Sequence, residues 1–170
     1  MTRKIKCFII TFLSIICILS SVFPVMAQSS ISFTWGQEIY YPSWLGNWST
    51  KMCYINGSLA YCLESSKNTP PQGQYAPYVI RNNDALLKVL YYGYGGPGDV
   101  FKDDQVTNDT NKYLYTHIMA SYAYSGDIYG GKSWDDLLAN GIGLKWRYEQ
   151  IQSMPVPTKT FNLTKTNLSA

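Results

Sequence analysis

Histidine is almost absent from this sequence: His117 is the only one in 170 residues. Cysteine is scarce, with four, and charged side chains make up only 15% of the chain. Once Cys7 and Cys17 leave with the leader expected over residues 1–27, one histidine and two thiols supply at most three soft ligands, and no second histidine accompanies them. That argues against a zinc centre. The charge is also less than it looks. Arg3, Lys4 and Lys6 precede an apolar run from Cys7 to about Phe23, followed by Pro24-Val25-Met26-Ala27. This pattern reads as a secretory signal peptide over 1–27, cut after Ala27, with a retained membrane anchor as the rival reading. No cysteine follows the cut, which argues against a lipoprotein. Without the three leader cations, eleven Lys and Arg balance eleven Asp and Glu. A neutral mature chain has no electrostatic footprint for nucleic acid or for an anionic membrane. No second long apolar run predicts a membrane segment in the mature part. Repeats are absent too.

What remains is one domain's length of aromatic-rich chain, with 15 Tyr and 5 Trp in the full sequence. "ISFTWGQEIYYP" reads as extended. "KMCYINGSLAYC" reads as a hairpin turning at Asn56-Gly57, a strong two-residue turn signal. That register sets Cys53 opposite Ala60 and Lys51 opposite Cys62. The two sulfurs then lie diagonally on one face, about 7–8 Å apart between α-carbons, at or beyond the usual disulfide reach of about 7 Å. Two free thiols are favoured over a bridge. "ESSKNTPPQGQYAP" reads as a loop.

Helices are expected at about 84–93, 110–124, 134–140 and 143–153. Their predicted caps are Asn82 or Asn83 for the first, one of Thr107, Asn108 and Asp109 for the second, and Ser133 for the third, which Gly141 ends. The fold class is therefore α+β: a small antiparallel sheet from the N-terminal half with several short helices packed on it. "YYGYGGPGD" follows a helix and lacks Gly-Lys-Ser/Thr, so it reads as a tight, closely packing turn and not as a phosphate loop. "KDDQVTNDT" lacks the turn Gly and terminal Glu of a calcium loop. On the second helix Tyr113, His117, Ala120, Ser121 and Tyr124 share a face, and the small residues let another segment approach His117. The tail over 158–170 alternates apolar and polar residues, as a linker or first strand of a following domain would.

"GSLAYCLE…TPPQGQY", then "LYYGYGGPGD", then "YTHIMASYAYSGD" together resemble the thioester domain of Gram-positive surface adhesins, also called after its Thr-Gln-x-Ala motif. The resemblance covers roughly residues 33–155, and Tyr-Cys-Leu-acid is its most specific piece. It implies a domain at 28–157 on a secreted or cell-surface protein, attached to the cell wall through a region beyond the tail. The expected partner is a host or extracellular protein or glycan. In the family, the motif Cys condenses with the motif Gln to an intramolecular thioester that a host amine can attack. Cys62 matches the Cys. The Gln motif falls on Thr116-His117-Ile118-Met119-Ala120, with His117 in place of Gln and Ala120 one position late. An imidazole has no carboxamide carbon to become the acyl group, so the resemblance implies fold and setting without that bond. Beyond Gln28 at the expected new N-terminus, the glutamines are Gln37, Gln72, Gln74, Gln105, Gln150 and Gln152, and any rescue would need one of them to reach Cys62.

Cys62 and His117 are thus the candidate reactive pair, with three readings. They form a thiolate–imidazolium couple for acyl transfer, as in cysteine peptidases or transglutaminases. They are a buried thiol and a satisfied imidazole in an inherited scaffold. Or the aromatic surface binds a carbohydrate or peptide without covalent chemistry. No third group to orient His117 is identifiable from sequence, so the balance favours a non-enzymatic module needing no cofactor and no metal.

Overall fold

In a computed structural model of the chain, residues 30–64, 67–158 and 164–165 are described; the expected leader at 1–27 and most of the tail lie outside them. Strand β1 (Ile31–Tyr40) pairs antiparallel with β2 (Ser49–Ile55), and β2 with β3 (Ser58–Ala60). The turn between β2 and β3 is Asn56-Gly57, both left-handed with φ of 50° and 78°. Two such residues in succession match the twist of a tight hairpin, which is why Asn-Gly is favoured there. Cys53 pairs with Ala60 as the register predicts. The ladder stops at Ala60, so Lys51 and Cys62 do not form the expected next pair. Cys53 and Cys62 are both free thiols.

The segment expected to be a loop contributes a strand. β4 (Gly73–Tyr75) pairs with Ile31–Phe33 at the far edge, giving a four-stranded antiparallel sheet in the order β3-β2-β1-β4. Its Gly-Gln-Tyr sequence has no strand pattern. Backbone pairing with β1 decides it, and the Phe33 and Tyr75 rings meet edge-on at 6.2 Å. β1 carries an irregularity between Trp35 and Glu38, at the Gly36-Gln37 step. A two-residue β5 (Tyr78–Val79) pairs with β6 (Thr164–Lys165), so that piece of the tail lies against this domain.

Four helices follow: α1 (Asp84–Tyr92), α2 (Asp109–Ser125), α3 (Trp134–Ala139) and α4 (Leu144–Ser153). The capping residues decide their starts. Asn83 accepts from the Leu86 amide at 2.9 Å and Asn108 from the Asn111 amide at 2.8 Å. Ser133 and Asp136 make a reciprocal capping box. Each such cap satisfies helix-end amides that no carbonyl of the helix can reach, and losing one costs about 1 kcal/mol.

α2 is the centre of the molecule. Tyr113, Leu114 and every residue from Thr116 to Ser121 are buried, so the helix is enclosed on nearly all sides rather than on one stripe. α1 packs along it, and the Asn83 amide donates to the Ala123 carbonyl at 3.2 Å. α4 covers α1 from the other side, where the Lys88 ammonium donates to the Gln152 carbonyl at 2.7 Å. The turn after α1 packs as closely as its glycines allow. A Cβ on Gly93 would lie 2.5 Å from both Thr116 Cγ2 and the Val89 carbonyl oxygen. The Asp99 carboxylate, not a ligand, takes the amides of Gly95 at 3.0 Å and Phe101 at 2.7 Å. Among the described residues no helix is long and apolar enough to cross a membrane.

Candidate functional site

Tyr113 joins the sheet to α2 and thereby builds the site. Its fully buried hydroxyl accepts from the Cys53 amide at 3.1 Å. The same hydroxyl lies within donating distance of the Lys51 carbonyl, 3.1 Å, and the Ala60 carbonyl, 3.0 Å. One side chain thus holds both strands of the hairpin against the helix. Its ring stacks on Tyr61 with centroids 4.9 Å apart. Cys62 comes two residues after the clamped Ala60. His117 comes one helical turn after Tyr113, with the rings edge-on at 6.0 Å.

Both candidate residues therefore reach the same place. Cys62 and His117 line a single cleft of about 270 Å³, together with Thr50, Lys51, Lys67 and Tyr129. Trp48 and the segment Asn68-Thr69 form its rim. Sequence reasoning singled out these two side chains and missed these walls. Trp48, Thr50 and Tyr129 come from separate elements, and no local pattern marks them. Tyr129 is held by Tyr41, whose ring stacks on it at 4.4 Å, and Tyr41 in turn meets His117 edge-on at 6.3 Å.

The electrostatics bear on the first of the three readings. A thiolate–imidazolium couple would need a low thiol pKa and a high imidazole pKa. Burial acts in the opposite sense on both groups, because it penalises each charged form. It lowers His117 from 6.5 to about 4. It raises Cys62, whose thiol donates to the Glu64 carbonyl at 3.5 Å. Cys53 is pushed up to about 11, again by burial first. Near neutral pH the cleft holds a neutral thiol and a neutral imidazole. The His117 Nδ1 atom is buried and has no hydrogen-bond partner among the described residues. No carboxylate or carboxamide among them bonds to it, as the orienting group of a catalytic dyad would.

None of the described glutamines lines this cleft. Gln72 accepts from the Trp35 amide at 3.3 Å, and Gln74 sits in β4 opposite Ser32. Gln150 is bonded to Arg147, and Gln152 donates to the Ala85 carbonyl. Among the described residues no three His, Cys, Asp or Glu side chains are grouped to hold a metal ion.

A family model described as "Thioester domain" matches residues 30–158. The chain belongs to the thioester domain family. No curated protein and no solved structure matches it. The matched span covers the sheet, all four helices and the cleft, so the thioester domain frame accounts for the whole described body apart from Thr164–Lys165.

Proposed function

We propose that this thioester domain serves as an adhesin-type module of a secreted or cell-surface protein, and that it carries no Cys–Gln thioester. The observation that carries this reading is that His117 shares the cleft with Cys62 and that no described glutamine lines it. A thioester forms when a thiol displaces ammonia from a carboxamide carbon, and His117 offers no such carbon. Thioester domains occur in surface adhesins, which supports the extracellular setting. The leader-like residues 1–27 agree with it. The partner is a host or extracellular protein or glycan, met at the cleft and its exposed aromatic rim at Trp48. A Cys–His acyl-transfer enzyme is disfavoured by the neutral pair and by the missing partner of His117 Nδ1.

The test is the intact mass of the purified mature domain, with and without methylamine. The expected mass is that of the mature sequence with both thiols free, and methylamine adds nothing. Loss of one ammonia, or a methylamine adduct on any glutamine, that Cys62→Ala abolishes overturns the proposal.

A further inference from the structure

Three buried side-chain atoms lack a hydrogen-bond partner among the described residues: Tyr41 Oη, His117 Nδ1 and Ser121 Oγ. They are neighbours. The Tyr41 and His117 rings meet edge-on at 6.3 Å, and Ser121 lies one turn beyond His117 on the same buried face of α2. None of the three bonds another. Each buried polar group left unbonded costs about 1–3 kcal/mol. Three together are therefore not a tolerable residue of imperfect packing. A buried water that joins two to four polar groups is the ordinary solution.

We propose that one enclosed water molecule sits between Tyr41 Oη, His117 Nδ1 and Ser121 Oγ, and that it fixes His117 in the tautomer protonated on Nε2. Counting donors and acceptors selects the tautomer. Both hydroxyls bring a proton that needs an acceptor. The water offers two lone pairs, one to each hydroxyl, and has two protons to place. The unprotonated Nδ1 takes one of them, which a protonated Nδ1 could not. With Nδ1 protonated instead, three donors would compete for the two lone pairs of the water.

The consequence lies on the other side of the ring. His117 lines the cleft while Nδ1 is buried, so its Nε2 edge faces Cys62's cleft. Protonated there, the imidazole donates a hydrogen bond and cannot take a proton from the thiol. The cleft then selects a ligand group that brings an acceptor oxygen, such as a carbonyl or carboxylate, and it rejects one that brings a donor. This deepens the non-catalytic reading of the site and rests on it only for the nature of the ligand; the water and the tautomer are read independently of the mass test.

His117 is the only histidine in the sequence, so its signals are unambiguous. Nitrogen-15 spectra of the labelled full chain at neutral pH are expected to show a pyrrole-type Nε2 and a pyridine-type Nδ1. A long-lived water should give a cross-peak to the His117 Hε1 proton. Tyr41→Phe should remove that cross-peak, and Ser121→Ala should weaken or remove it if the first variant does not fold. A pyrrole-type Nδ1, a missing water cross-peak in the folded wild-type protein, or a cross-peak unchanged in the folded variants overturns the proposal.

Discussion

Tyr61 and Cys62 are adjacent in sequence and face different depressions. Tyr61, with Leu59 and Leu63, lines an apolar groove of about 390 Å³ whose other wall is Ile80, Leu86 and Leu90. Cys62 lines the cleft with His117. The chain leaving β3 stays extended enough for successive side chains to alternate, as along a strand. The two walls treat polar groups differently. In the groove, the Tyr61 hydroxyl donates to the Tyr94 carbonyl, and the Tyr94 amide donates to Thr116 Oγ1 at 3.0 Å. Its polar atoms are spent on holding the turn after α1 in place. In the cleft, His117 Nδ1 has no partner among the described residues and Cys62 remains a free thiol. The groove is built for cohesion. The cleft keeps chemical groups uncommitted, which is the arrangement expected where a ligand or a water completes the bonding.

The contrast can be broken from either side, and the groove should give the larger effect. Leu86 is fully buried between α1 and its neighbours. Leu86→Ala should cost about 2–5 kcal/mol, read from the urea midpoint, because the enclosed site cannot collapse around the lost methyl groups. A cost within 0.5 kcal/mol would show the groove wall to be loosely packed.

On the cleft side the main effect is a pH dependence. His117 has a folded-state pKa of about 4 against 6.5 for a free imidazole. The unfolded chain therefore binds the proton first as pH falls. The domain has its full stability above about pH 6.5, loses about 3 kcal/mol as pH drops toward 4, and loses no more from this group below that. Denaturation midpoints at several pH values between 5 and 7 check this away from the carboxylates. His117→Gln should flatten the profile there. A wild-type profile that is already flat would mean that His117 is solvated.

The smallest change is expected at the rim. The Lys67 ammonium lies 3.2 Å from Glu64 Oε2, with both side chains reaching solvent. Lys67→Ala should shift stability by under about 1 kcal/mol, as exposed pairs do, and less at high salt. A larger loss, insensitive to salt, would make Lys67 part of the structural wall and erase the distinction between rim and core.

Much of this architecture is legible in the sequence because local chemistry decides it. Asn83, Asn108 and Ser133 start three helices at the expected caps, and Asn56-Gly57 sets a hairpin register that puts Cys53 opposite Ala60. The face carrying Tyr113, His117, Ala120 and Ser121 is buried as its spacing implies, with Tyr124 only half covered. β4 was not legible. Gly73-Gln74-Tyr75 has turn-like composition, and only the free edge of β1 makes it a strand.

The sequence by itself determined which residues could carry chemistry here: one histidine, two cysteines after the expected leader, and a helical spacing that ties His117 to Tyr113. Only the tertiary structure decided that Cys62 and His117 share a cleft, because the Tyr113 clamp spans about sixty positions of chain to reach Cys53. It also decided their charge. The pKa of a thiol or an imidazole follows from the water and dipoles around it, and enclosure by Tyr41, Tyr113 and α2 favours the neutral form of each.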